Sequence, residues 1–160
     1  MKVYIKNKIF SWGGGSSVLD ENKNPIFQVK GKVFSLTRKK FLCDAEGNRL
    51  YTIRNKWLNF FVHKAYIYDR EKNKIATVKD KFFTARQQYF VTGYPEEIKI
   101  DGKFFSLTAQ ILRNGEPVGT IRRQITFIAD AFELEAAEED LPFLIALVIA
   151  IDNICDKRWK

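Results

Sequence analysis

The residues best placed to do chemistry are cations. Arg38-Lys39-Lys40 is the densest basic cluster in the chain and runs straight into Phe41, so ammonium and guanidinium groups stand beside an aromatic ring. Such groups meet phosphate oxygens through charge-assisted hydrogen bonds, each worth about 1 kcal/mol against an acidic lipid surface. Two lysine pairs also recur: Lys6 and Lys8 in Ile5-Lys-Asn-Lys-Ile-Phe-Ser11, and Lys79 and Lys81 in Val78-Lys-Asp-Lys-Phe-Phe-Thr84. Lys32 with Lys103, and Arg54 with Arg122, repeat in the same way. Repeated charge implies a repeated surface. The candidate anion-binding set is Arg38, Lys39, Lys40, Lys6, Lys8, Lys79 and Lys81, and 27 Lys and Arg against 19 Asp and Glu leave a net charge of +8. That balance favours anionic membrane lipids, nucleic acid or an acidic protein as partner without choosing among them.

Other chemistries are poorly served. His63 is the only histidine, so a histidine-based triad would have to use it, and no G-x-S-x-G elbow accompanies it. Cys43 and Cys155 have no metal-ligand spacing and read as small apolar core residues. Gly13-Gly-Gly-Ser-Ser17 lacks the lysine and following helix of a phosphate loop and reads as a hairpin tip. Asp20, Asn22 and Asn24 match the start of a calcium loop, but Pro25 and Gly31 stand where that loop needs Gly and Glu. The acidic residues Asp130, Glu133, Glu135, Glu138, Glu139 and Asp140 read as a solvated strand edge and a helix start. No catalytic residue, metal site or cofactor is expected.

The elements that must position the cations are mostly strands. From Lys2 to Ala136, β-rich runs alternate with turn signals and no 3.6-residue period is sustained. The pattern predicts strands over 2–10, 16–20, 25–30, 33–44, 49–57, 60–69, 74–81, 86–92, 97–101, 104–113, 117–125 and 131–136. Asp20 to Pro25, Asp44 to Asn48, Asp69 to Asn73 and Arg113 to Pro117 carry the Asn, Asp and Gly that hairpins need. Gly31-Lys-Val-Phe-Ser-Leu-Thr37 recurs as Gly102-Lys-Phe-Phe-Ser-Leu-Thr108, and each copy leads to Thr-Ile-Arg, at 52–54 and 120–122. Six strands are thus duplicated into twelve, in halves of about 2–69 and 74–136.

Leu141 to Ile151 has no polar side chain, with Asp140 as expected N-cap and Pro142 in the first turn, which predicts a helix over about 140–157. A helix apolar on every face has no solvent side and must be surrounded. The expected architecture is therefore mainly β: one domain over 1–160, a closed twelve-stranded antiparallel barrel of two six-stranded repeats enclosing the C-terminal helix.

These residues carry a resemblance. The G-K-x-F-S-L-T segment leading to Asp44-x-x-Gly47, and the apolar helix ending Ile149-Ala-Ile-Asp-Asn153, resemble the LURP-one-related family, whose fold is similar to the tubby C-terminal domain and to phospholipid scramblases. The resemblance implies a barrel around a central helix. It makes the leading expectation a non-catalytic cytoplasmic binding or scaffold domain, peripheral at a membrane, recognising anionic headgroups through a basic face. The second expectation is an enzyme with a site near His63, and the third a non-specific nucleic-acid binder lacking any base-reading motif.

Overall fold

A computed structural model describes residues 1–6, 16–32, 35–57, 63–80, 88–103, 108–125 and 130–158. Twelve strands form a single closed antiparallel sheet: β1 (Lys2–Lys6), β2 (Ser16–Asp20), β3 (Pro25–Gly31), β4 (Lys40–Asp44), β5 (Arg49–Asn55), β6 (Lys64–Tyr68), β7 (Lys74–Asp80), β8 (Gln88–Thr92), β9 (Ile98–Lys103), β10 (Thr108–Arg113), β11 (Glu116–Ile125) and β12 (Asp130–Ala136). Each strand pairs with its sequence neighbours, and β1 closes the ring against β12 in a register running from Lys2↔Glu135 to Lys6↔Ala131. Closure removes the unpaired edges that an open sheet of this size would present.

Alternation along the strands builds the core. Val3 and Ile5, Tyr51 and Ile53, Ala65 and Ile67, Ala76 and Val78, and Ile98 and Ile100 face inward at period two. They meet α1 (Leu141–Arg158), whose 18 residues span about 27 Å and fill the lumen. Leu144 to Val148 are wholly buried around a full turn of the helix, so no face of this stretch meets water. Among the described residues no helix is long and apolar enough to cross a membrane.

Three hairpins use one device. In Asp20–Asn24, Asp44–Asn48 and Asp69–Asn73 the aspartate Oδ1 accepts the asparagine backbone N–H at 2.7 to 2.8 Å, while the asparagine Nδ2 donates to Oδ2 at 3.0 Å. The clamp forces positive φ on the residue before the asparagine: Lys23 at 67°, Gly47 at 88° and Lys72 at 69°. Asp20 also accepts from the Asn22 N–H, so the calcium-like spacing is spent on the loop's own backbone.

Two details differ from the sequence reading. The strand expected over 33–44 begins only at Lys40, because Ser35 turns the chain. Its hydroxyl accepts the Lys39 N–H at 2.9 Å, its carbonyl accepts the Arg38 N–H at 3.1 Å, and Arg38 takes φ 50°. In the second copy the residues equivalent to this turn, 104–107, lie outside the described residues; β10 starts at Thr108, beside Gly102 at φ 133°, where a Cβ would lie 2.8 Å from the Ala109 Cα. Asp140, expected to cap the helix, closes a 3₁₀ turn over Glu138–Asp140, and both of its carboxylate oxygens accept from Arg113, at 2.6 and 3.3 Å.

Candidate functional site: a cationic pocket on the outer wall

The outward side chains of β4, β5 and β6 form the site. Register sets Phe41 opposite Thr52, Thr52 opposite Tyr68 and Arg54 opposite Tyr66, so aromatic, hydroxyl and guanidinium groups share one wall. Around them opens a cavity of about 160 Å³ lined by Lys39, Arg49, Thr52, Arg54, Tyr68 and Lys72. Four of these six residues are cations and none is a carboxylate.

Three of the four cations are held by rings. Phe41 has the Arg49 guanidinium 4.2 Å and the Lys39 ammonium 5.5 Å from its centroid. Arg54 lies 5.0 Å over the Tyr68 ring and donates from Nε and Nη2 to the Tyr68 hydroxyl at 3.0 and 2.6 Å. A ring face fixes a cation for about 0.5 to 1 kcal/mol at an exposed site and leaves its charge uncancelled. The Tyr68 oxygen accepts both Arg54 bonds, so its own O–H stays available as a donor. Lys72 reaches the rim from the αL position of the Asp69–Asn73 hairpin. Among the described residues, no ion pair involves Lys39, Arg49, Arg54 or Lys72.

The structure separates the residues that the sequence grouped. Of Arg38-Lys39-Lys40 only Lys39 lines the cavity. Lys40 shares the inward face of β4 with Leu42, and its ammonium lies 3.5 Å from Asp152 of the helix. The Arg38 carbonyl accepts from Asn153 Nδ2 at 3.1 Å, and Asn55 Nδ2 donates to the Asn153 carbonyl at 2.9 Å. These contacts hold the C-terminal part of the helix. Lys6 and Lys79 point outward on β1 and β7, six strands apart in either direction round a ring of twelve, so they lie on opposite walls. A duplication that closes into a barrel places its copies half a turn apart, so the repeated lysines cannot make one face. Lys8 and Lys81 lie outside the described residues.

Arg49, Thr52, Tyr68 and Lys72 were not in the expected set, nor was Arg54, which the sequence marked only as a cation repeated at Arg122. Their signal was present as outward alternation along β5 and β6 and as cations flanking two D-x-x-x-N hairpins, but only the register brings them together. His63, the alternative centre, stands just before β6, and its carbonyl accepts the Asp80 N–H at 3.4 Å. Cys43 and Cys155 are free and buried, with the Cys155 sulfur 3.1 Å from the Tyr89 hydroxyl.

A closed twelve-stranded antiparallel barrel around a buried C-terminal helix defines a class, and the LURP-one-related family model matches this chain over residues 1–152. The chain belongs to the LURP-one-related family. It is similar to the uncharacterized protein YxjI of Bacillus subtilis, 24% identical over 156 residues covering 96% of this chain and 93% of the relative. Its fold is similar to that of an Arabidopsis thaliana protein solved by X-ray crystallography, with a TM-score of 0.58 at 16% identity, covering 94% of this chain and 91% of that one.

Proposed function

We propose that this protein is a non-catalytic binding domain that docks through its β4–β6 wall on an anionic phospholipid surface, as a peripheral protein of an acidic cytoplasmic leaflet. The observation that carries the reading is that Lys39, Arg49, Arg54 and Lys72 gather in one cavity with no carboxylate in its lining. Charges that serve only solubility are best interspersed with the opposite sign. Here ring faces hold Lys39, Arg49 and Arg54 together against their mutual repulsion, which keeps the local potential positive.

The test is co-sedimentation with phosphatidylcholine vesicles containing phosphatidylserine. At about 1 kcal/mol for each cation near an acidic leaflet, changing Lys39, Arg49 and Lys72 together to Gln weakens binding by roughly two orders of magnitude. Exposed charges are screened over about 8 Å at 0.15 M salt, so binding also weakens as salt rises. Wild-type protein that ignores acidic vesicles at low salt, or a triple variant that binds as well as wild type, refutes the reading.

A further inference from the structure

Resting on the reading of this wall as the binding surface, we infer that the cavity is a site for one phosphate monoester group, whose charge takes the place of a carboxylate that the opposite wall supplies for itself. The comparison lies within the molecule. Thr52-Ile53-Arg54 on β5 and Thr120-Ile121-Arg122 on β11 are the same tripeptide, six strands apart round the ring. Each faces the next strand in the same way: Thr52↔Tyr68 and Arg54↔Tyr66 in the first half, Thr120↔Glu135 and Arg122↔Glu133 in the second. Carboxylates of β12 thus stand where β6 has phenols.

The consequence is electrostatic. On the β11–β12 wall Glu133 gathers the cations, with Arg122 Nη1 at 3.7 Å, Lys2 Nζ at 3.5 Å and a hydrogen bond from Gln124 Nε2 at 2.8 Å, and its side chain is only 8% exposed. That wall is neutralised from within. On the β5–β6 wall the equivalent arginine finds a phenol oxygen, and Lys39, Arg49 and Lys72 join it around an open cavity. Four cations crowded without a counter-ion repel one another, and an anion seated among them turns that repulsion into attraction.

The donors identify the anion. Two guanidinium groups, two ammonium groups, the Thr52 hydroxyl and the Tyr68 O–H offer more donors than the two oxygens of a carboxylate, or the two free oxygens of a phosphodiester, can accept. A phosphate monoester has three terminal oxygens and a charge of about −1.5 to −2 at pH 7. It also suits arginine, whose planar fork binds phosphate through two bonds at once. A cavity of about 160 Å³ takes one such compact group, leaving whatever bears it outside. The bearer is either a lipid or a soluble metabolite.

The experiment separates these sources. Wild type, the double variant Arg49→Gln/Lys72→Gln, and Arg122→Gln on the opposite wall are titrated calorimetrically with glycerol 3-phosphate. The same proteins are floated with phosphatidylcholine vesicles carrying either phosphatidic acid, a lipid monoester, or phosphatidylserine, a diester, at matched surface charge. Thermal melting checks that all three proteins are folded. The expected result is binding of glycerol 3-phosphate that falls about a hundredfold in the double variant, each lost charged hydrogen bond being worth about tenfold or more, and changes little in Arg122→Gln. Preference for phosphatidic acid over phosphatidylserine, lost in the double variant, makes the bearer a lipid. Binding of the soluble ester without vesicle binding keeps the phosphate site and overturns the membrane reading. Vesicle binding with no response to glycerol 3-phosphate and no preference for phosphatidic acid keeps the membrane reading and overturns the phosphate site. Equal loss in Arg122→Gln reduces the effect to net charge, and failure of every ligand to bind overturns both readings.

Discussion

At the scale of the residue, the most informative pieces are short side chains that fix the backbone. Asp44 shows how: its carboxylate accepts two hydrogen bonds from Asn48 and so holds Gly47 at φ 88°. The side-chain bond from Asn48 is the largest cause holding the Asp44 carboxyl below its ordinary 3.8, and the bond from Asn24 does the same for Asp20. A carboxyl with a depressed folded pKa binds protons less readily in the folded chain than in the unfolded one. Its contribution is complete above the unfolded value and is lost as pH falls through the folded one, so these loops loosen in acid and not in base. Asn48→Ala removes the principal donor, and the Asp44 carboxyl should then titrate closer to its ordinary value, as followed by carboxyl-carbon NMR. A titration unchanged from wild type would show that the Asn48 side chain does not set it. The same clamp in the third hairpin places Lys72 at the pocket rim, so a local turn device becomes part of a binding wall.

At the scale of the element, the helix was legible because its chemistry is local and one-sided: an uninterrupted apolar run has no stable place except inside. The strands were legible for a similar reason, since alternation and D-x-x-x-N loops are written within a few residues. The start of β4 was not. Gly31 to Thr37 reads as the lead into a strand, yet Ser35 bonds to its own backbone and turns the chain, a choice that the residue types alone do not reveal. The site was legible only in Lys39 and, as a repeated cation, Arg54, because the run Arg38-Lys39-Lys40 is divided where β4 begins, Lys39 lining the outer cavity and Lys40 turning inward, and because the other cavity residues arrive from separate hairpins by register. Within the helix, Leu147 is 0% exposed. Leu147→Ala removes burial and leaves a cavity, a loss of about 2 to 5 kcal/mol that urea denaturation measures directly. A loss below about 0.5 kcal/mol would mean a lumen able to collapse onto the smaller side chain, and Leu147→Asp should not fold at all.

At the scale of the whole molecule, a closed sheet and its contents depend on each other. The ring has no edge to add to, and its inward side chains form one buried cluster with the helix. The helix is fixed at both ends: Arg113 bonds to Asp140 at the entrance, with Tyr94 stacked on Phe143 at 4.2 Å, while Lys40 and Asn55 meet Asp152 and Asn153 further along. Leu141, Phe143, Leu144, Ile145, Leu147, Val148, Ile149, Ile151 and Ile154 are each at most 5% exposed. At about 1.5 to 3 kcal/mol apiece these nine side chains contribute at most on the order of 20 kcal/mol of burial. A domain's net stability is about 5 to 15 kcal/mol, so even half of that contribution, about 10 kcal/mol, is as large as the barrel's whole margin. Removing residues 141–160 should therefore leave a chain that is insoluble or lacks a cooperative thermal transition, whereas Leu147→Ala only lowers the midpoint. A soluble truncation that kept native β-sheet circular dichroism and melted cooperatively would show that the barrel closes without its core, making the helix a detachable element and leaving a lumen open to an apolar guest.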